Sequence, residues 1–330
     1  MSELRFNRIT GDWVIIATDR ASRPEDFVRQ EKPRAAPSHV PTCPYCPGNE
    51  SMSEAVFVEP ASGAWEVRII RNDRPALRPD SDHRLSGGLM DRRLSGFGYH
   101  EVVVETPLHN HFMWDRTQEE MRLLLAAMKA RYLAIAEDDR VALVVLYKNH
   151  GAGAGESMEH PHCQLLATPV VPNDVRRRSV DALRFFDENG GCMFCTMINE
   201  EITQDQRVVH VSENFVSFVP FAAASPFHLW MMPLRHTPDL GWTMNTEIAD
   251  MARHLRIVLR KISRGLGNPH FNLVVRSMVQ RYSDLRSFHW YVSIVPRVSM
   301  PAGFEMGSGM FINAALPENS AEFLRNVNAD

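Results

Sequence analysis

His160-Pro161-His162-Cys163-Gln164 lies between a glycine-rich segment, Gly151-Ala152-Gly153-Ala154-Gly155-Glu156-Ser157, and the apolar run Leu165-Leu166-Ala167-Thr168-Pro169-Val170-Val171. Side chains alternate across an extended chain with a period of two, so a His-x-His entering a strand turns both imidazoles to one face. A neutral imidazole can ligate a metal or attack an electrophile, and a glycine-rich turn offers backbone N–H groups to an anion such as phosphate. Taken alone, the pair reads as a metal-binding or hydrogen-bonded core pair. Its surroundings change that reading.

Immediately upstream, 141–147 (Val-Ala-Leu-Val-Val-Leu-Tyr) reads as a strand. Before it, Thr117-Gln118-Glu119-Glu120 is a capping box opening a helix whose buried face is Met121, Leu124, Leu125, Met128, Tyr132 and Ile135. Earlier still, a strand at 101–105 leads to Thr106-Pro107-Leu108-His109, and Cys43-Pro44-Tyr45-Cys46 forms a knuckle-like turn. The stretch 5–20 reads as a hairpin turning at Thr10-Gly11-Asp12, and 80–98, rich in Gly, Ser, Asp and Arg, as a surface insertion.

Downstream the order repeats. Cys192-Met193-Phe194-Cys195 is followed by a strand ending at His236, an amphipathic helix near 248–262, a strand at 271–275, and His289-Trp290-Tyr291. From His109 to His160 is 51 positions, and from His236 to His289 is 53. This agreement in order and spacing predicts an internal duplication, each copy with Cys-x-x-Cys and two distant histidines. Two cysteines and two histidines match a closed tetrahedral zinc site. The candidate structural sites are therefore Cys43, Cys46, His109 and His160 in the first copy and Cys192, Cys195, His236 and His289 in the second. That leaves His162 free beside the first. Its imidazole can displace a leaving group at phosphorus, and Gln164, two residues on along the same face, can hydrogen-bond the phosphoryl oxygens. The second copy has Tyr291 where the first has His162, so it should be catalytically silent.

Composition bounds the rest. The chain has 330 residues, 44% hydrophobic and 23% charged, enough for two domains with real cores. A net charge of -4 and a pI near 6.4 carry no footprint for nucleic acid or an anionic membrane, so the partner is expected to be small. The uncharged stretch 215–234 raises a transmembrane question, but it holds Pro220, Pro226, Pro233 and His228 and reads as a buried strand with flanking turns. Met1-Ser2-Glu3-Leu4-Arg5 has no signal-peptide pattern, so a cytoplasmic location is expected, where Cys-x-x-Cys favours metal over disulfide.

These motifs resemble the galactose-1-phosphate uridylyltransferase family, a branch of the histidine-triad superfamily. The resemblance runs through Arg8 to Val14, Arg20-Ala21-Ser22-Arg23-Pro24, Cys43-Pro44-Tyr45-Cys46, Asn72-Asp73-x-Pro75-Ala76-Leu77, Thr106-Pro107-x-His109, Asn149-x-Gly151, Ser157 and His160-Pro161-His162-x-Gln164. It implies an α+β fold of two tandem histidine-triad-like domains, 1–175 catalytic and 176–330 a degenerate copy, each a mainly antiparallel sheet packed by helices. It implies that His162 is the nucleophile forming a nucleotidyl-histidine, that Gln164 and Ser157 hold phosphoryl oxygens, and that Arg23, Asn72, Asp73, Asn149 and Gly151 contact the nucleotide. Phe304 and Glu305, in the counterpart of the family's Gly-Tyr-Glu-Met tail, are the implied sugar contacts.

The implied activity is ping-pong UDP-glucose:hexose-1-phosphate uridylyl transfer by a zinc-containing homodimer acting on a nucleotide-sugar and a sugar phosphate. Two features are instead similar to the plant-type ADP-glucose phosphorylase subgroup: the tail lacks Gln-Arg-Asp, and the second half carries Cys-x-x-Cys. Adenylyl transfer from ADP-glucose is therefore the alternative; a dinucleotide hydrolase or phosphorylase and a zinc-stabilised nucleotide-binding module are further rivals.

Overall fold

The computed structural model describes residues 2–18, 23–28, 36–278 and 285–329. The Arg20-Ala21-Ser22 part of the resemblance lies outside them. In chain order the elements are β1 (Glu3–Asn7), β2 (Asp12–Ile16), β3 (Ala55–Glu59), β4 (Val67–Arg71), the short pair β5 (Leu85–Ser86) and β6 (Arg93–Leu94), β7 (Tyr99–Val104), α1 (Gln118–Ala136), β8 (Leu143–His150), β9 (His162–Thr168), α2 (Asn173–Asn189) and α3 (Met193–Gln204). They continue as β10 (Val208–Val211), β11 (Phe215–Phe218), β12 (Leu229–Pro233), α4 (Asn245–Gly265), β13 (Phe271–Arg276), β14 (Tyr291–Pro296), α5 (Gly303–Ser308), β15 (Phe311–Asn313) and α6 (Pro317–Asn326).

The fold is α+β, and its centre is one ten-stranded antiparallel sheet in the order β10-β11-β12-β14-β13-β8-β9-β7-β4-β3. Each half of the chain supplies five strands. They meet where β8 pairs with β13, from His150 opposite Phe271 to Leu146 opposite Val275. The apolar positions of β8, β9, β13 and β14, among them Leu146, Cys163, Leu165, Leu273 and Val292, face α1 and α4 in one continuous core. α1 begins as its sequence requires: Thr117 Oγ1 accepts from the Glu120 N–H at 3.2 Å, and Glu120 reaches back to the Thr117 N–H at 2.7 Å.

On the opposite face the second half is covered by α2 and α3, which pack Met193, Phe194 and Ile198 on Trp230, Met232 and Tyr291. On that face of the first half Tyr45 and Trp65 pack on Ile70, Val102 and Val104, and His162 and Gln164 stand beside them. The residues 215–234 form two strands, β11 and β12, rather than one, because the turn at Pro220 and Pro226 lets both bury their side chains in one sheet. The expected boundary at 175 falls inside α2. The N-terminal hairpin leaves its own half: β2 pairs in parallel with β15, and Arg5 donates to the Phe221 carbonyl at 3.0 Å and to Glu318 at 2.9 Å. Among the described residues no helix is long and apolar enough to cross a membrane.

Candidate active site and metal centre

Cys43, Cys46, His109 and His160 are all buried, with their ligand atoms within 4.8 Å of one another. The His160 Nδ1 lies 3.7 Å from Cys43 Sγ and 3.6 Å from Cys46 Sγ, and the His109 Nδ1 lies 3.5 Å from Cys46 Sγ. A tetrahedron with zinc–sulfur and zinc–nitrogen bonds of about 2.3 and 2.0 Å has S···N edges of about 3.5 Å, so the spacing fits. The His160 Nε2–H donates to the Thr106 carbonyl at 2.8 Å, which fixes the tautomer that leaves the Nδ1 lone pair toward the two sulfurs. This set can hold a metal ion, and its thiolate and imidazole donors are those zinc prefers.

His160 ends the turn before β9, and His162 begins the strand. The His162 Nδ1 is 2.9 Å from the His160 carbonyl, so Nδ1 carries the proton. Its Nε2 has no hydrogen-bond partner among the described residues. Burial, and after it the charge of Lys148, hold the His162 pKa below the ordinary imidazole value, so the ring stays neutral. Tyr45, from the Cys-x-x-Cys turn, sets its ring 5.7 Å from His162, and burial followed by the nearby Asp73 pushes its hydroxyl up to about 12.

Gln164 shares the face of His162, opposite Tyr147 on β8 and Val102 on β7. Its Oε1 accepts from the Tyr147 hydroxyl at 2.9 Å and from the His100 Nε2–H at 2.7 Å. The His100 tautomer is set because its Nδ1 accepts from the Ala76 N–H at 3.0 Å. With its oxygen held twice, Gln164 can present only its amide N–H groups to a ligand. Asn72 donates its backbone N–H to the His100 carbonyl and, with Asp73, Pro75 and Arg131, lines a cleft of about 320 Å³.

The glycine loop corrects one expectation. It does not offer a row of free N–H groups: the Gly151 N–H donates to Glu156 Oε2 at 2.6 Å, the Gly153 N–H to His270 Nδ1 at 3.0 Å, and those of Ala154 and Gly155 close the loop's own turn. Gly151 sits at φ +80°, and a Cβ there would lie 2.0 Å from His270 Cδ2, so the loop is pressed against β13. Asn149 serves the loop, donating to the Gly155 carbonyl at 3.4 Å and accepting from Asn272 at 2.8 Å. Burial raises the Glu156 carboxyl to about 7. Ser157 is exposed and has no hydrogen bond among the described residues. Arg23 is exposed at the start of a short turn, and Phe304 and Glu305 stand on α5 beside β15; none of these three lines the cleft.

The second metal set is brought together in part. Cys192, Cys195 and His236 have ligand atoms within 4.8 Å of one another, with Cys195 Sγ 3.3 Å from His236 Nδ1. His236 repeats the tautomer of His160, its Nε2–H donating to the Leu285 carbonyl at 2.9 Å. His289, expected as the fourth ligand, stands outside this group. Its Nδ1–H is turned to the Trp290 carbonyl at 2.9 Å, and its buried Nε2 has no hydrogen-bond partner among the described residues. Nor is this Cys-x-x-Cys a free knuckle: Cys192 caps α3 and Cys195 lies in its first turn.

Several residues of the site escaped the sequence reading. His100 on β7 and Tyr147 on β8 could have been found by carrying the strand alternation outward from Gln164, because each strand's same-face positions are two apart, and Tyr45 lies inside the Cys43–Cys46 turn that the metal reading singles out. Asn272 on β13 and His270 just before it come from across the seam between the halves and carry no local signal.

Over residues 1–172 the chain matches the family described as galactose-1-phosphate uridyl transferase, N-terminal domain. It is 34% identical to an ADP-glucose phosphorylase of Arabidopsis thaliana, over 98% of this chain and 93% of that one. It is 25% identical to a galactose-1-phosphate uridylyltransferase of Thermotoga maritima, with both chains covered in full. The crystal structure of an ADP-glucose phosphorylase from Arabidopsis thaliana with bound ADP-glucose aligns over 99% of both chains at 32% identity, with a TM-score of 0.85. The matched family region contains both the metal cluster and the histidine left free beside it, and the relatives extend the likeness through the second half; this protein belongs to the galactose-1-phosphate uridylyltransferase family.

Proposed function

We propose that the protein transfers a nucleotidyl group from a nucleotide-sugar to a phosphate-bearing acceptor in two displacements at His162. The observation that carries this reading is the His162 tautomer: Nδ1–H on the His160 carbonyl, Nε2 unengaged, and the ring kept neutral. In the first step Nε2 attacks the α-phosphorus, the P–N bond forms, and the sugar phosphate leaves with the electron pair of the broken P–O bond. The positive charge that develops on the ring is stabilised at Nδ1–H by the His160 carbonyl. In the second step an acceptor phosphate oxygen attacks phosphorus and the P–N bond breaks, returning neutral His162. Gln164 donates its amide N–H groups to the phosphoryl oxygens, Ser157 adds a hydroxyl, and Asn72 and Asp73 hold the nucleoside in the cleft they line. Tyr291 cannot act in this way, which leaves the 176–330 copy silent beside the catalytic 1–175 copy.

Both uridylyl transfer from UDP-glucose and adenylyl transfer from ADP-glucose suit this site. The higher identity to the Arabidopsis protein, 34% against 25%, favours ADP-glucose. Zinc in the first cluster is structural in this reading, because four protein donors leave it no open position. The second cluster, with three donors and His289 nearby, is a weaker zinc site. A cytoplasmic homodimer, implied by the sequence resemblance, belongs to the same reading.

Mass spectrometry of intact protein incubated separately with ADP-glucose and UDP-glucose tests the proposal. A covalent gain of AMP or UMP that maps to His162 identifies the nucleotide, whereas no adduct with either would leave a binding module or direct hydrolysis in its place.

A further inference from the structure

The second half of the sheet turns a group of cations to the same face as His162, and one shared carboxylate is set against them. Arg276 ends β13, opposite Tyr291 at the start of β14, so the two side chains stand together on that face. α2 brings Arg178 over them: its guanidinium donates to the Tyr291 hydroxyl at 3.0 Å and to Asp174 at 2.8 Å. Asp174 also serves Arg177 at 3.3 Å, and among the described residues Arg276 has no ion pair. Arg297 is nearby, its Nε donating to Asn272.

The hydrogen bonding is lopsided in the same sense. The Nε atoms of Arg178 and Arg276 are buried without a partner among the described residues. So is the Nδ1 of His228, whose Nε2 accepts from the Trp230 indole at 3.1 Å and therefore leaves the ring proton on Nδ1. Burial, and then the charges of Arg276, Arg178 and Arg297, hold the His228 pKa down at about 3. Three buried donors without acceptors are unusual in a folded protein and point to a missing acceptor.

The position gives that acceptor a chemistry. Tyr291 and His162 are 129 positions apart, and so are Arg276 and Tyr147. By sequence offset the cluster is thus the second copy's counterpart of the place where, in the function proposed above, the first copy handles a phosphoryl group, with Tyr291 at the position of the nucleophile and Arg276 at that of Tyr147; in the sheet Arg276 stands opposite Tyr291 itself, whereas Tyr147 stands opposite Gln164. We propose that the second half binds a phosphate dianion, free or as a phosphomonoester, between Arg178, Arg276 and the Tyr291 hydroxyl, without transferring it. Arginine forks suit phosphate oxygens, and Tyr291, which accepts from Arg178, has its own O–H to donate. The choice of phosphate rests on the phosphoryl chemistry proposed for His162, whereas binding at this site is read separately from that chemistry.

The test is isothermal titration of the purified protein with inorganic phosphate and, separately, glucose 1-phosphate, comparing wild type with Arg178→Gln/Arg276→Gln. The wild type should bind phosphate at one more site per chain than the double variant, or the variant should weaken that site at least tenfold, while nucleotidylation of His162 is unchanged. Tyr291→Phe, which keeps the cations, should weaken the site severalfold and guards against a double variant that fails to fold. Binding of inorganic phosphate assigns the free ion, and binding of the monoester alone assigns a sugar phosphate or nucleotide. Identical isotherms for wild type and both variants, or loss of nucleotidylation in step with phosphate binding, would overturn the proposal.

Discussion

Three charges meet out of water beneath His162, and their imbalance makes a quantitative prediction. Glu105 and Lys148 are fully buried, with Lys148 Nζ 2.7 Å from Glu105 Oε1, and Arg116, 2% exposed, stands 3.5 Å from Oε2. The Cys163 thiol donates to the same Oε1 at 3.1 Å. Burial alone would raise the Glu105 pKa, but Lys148 and Arg116 outweigh it and keep the carboxylate ionised. One carboxylate thus serves two cations. Removing one member of a buried pair costs about 3–5 kcal/mol, because the charge left behind has no partner. Glu105→Gln strands two cations and should sit at or above the top of that range. Lys148→Met leaves the Arg116–Glu105 pair matched, loses hydrogen bonds to Glu105 and the His162 carbonyl, and should cost about 1–3 kcal/mol.

Urea unfolding followed by tryptophan fluorescence gives both numbers, provided the slopes agree. Lys148→Met has a second signature: without that charge the His162 pKa should rise, so the acid limb of adduct formation should move to higher pH. Lys148→Met as damaging as Glu105→Gln, or an acid limb that does not move, would refute this account of the charges.

The two histidines of the motif should fail differently: His162→Gly stays folded and metal-loaded but forms no adduct and accepts rescue by free imidazole, whereas His160→Gly loses metal and stability without rescue, as elemental analysis and intact mass will show. Cys43→Ser should lower bound zinc and melting temperature together, since structural zinc contributes on the order of 10 kcal/mol in small zinc domains; unchanged zinc content would dismiss the first metal site. Gly151→Ala should cost more than about 3 kcal/mol, because strain at φ +80° adds to a clash with the His270 ring, while Gly190→Ala, at φ +72° with open space around it, should cost about 1 kcal/mol; equal losses in chemical denaturation would contradict this. Acid should destabilise the fold through His254, which is fully buried between Ser212 and Ser217 and titrates at about 3 against about 6.5 when unfolded. The unfolded chain binds the extra proton, so stability present above pH 6.5 is lost as pH falls toward 3, by about 5 kcal/mol at most. His254→Asn should flatten that slope, and a slope identical to wild type would show that other groups carry it.

Local chemistry along the chain determined the parts of this protein. The capping box at Thr117, the 3.6-residue spacing from Met121 to Ile135, and the two-residue spacing of His160, His162 and Gln164 are instructions between near neighbours, and the Cys43-x-x-Cys46 turn with its two histidines declares a donor set before any fold is known. The duplicated order of elements likewise announced two related halves. Tertiary structure decided how the halves meet. Pairing of β8 with β13 fuses them into one sheet and carries Asn272 and His270 to the glycine loop, where His270 takes the Gly153 N–H while Glu156 and the loop's own carbonyls take those of Gly151, Ala154 and Gly155. It also decided that His289 bonds the Trp290 carbonyl instead of joining Cys192, Cys195 and His236, and that Arg178 comes over Tyr291 from α2. Periodicity reports which face a side chain takes, but not what another part of the chain will bring to that face, because such contacts depend on register and packing between segments more than a hundred residues apart.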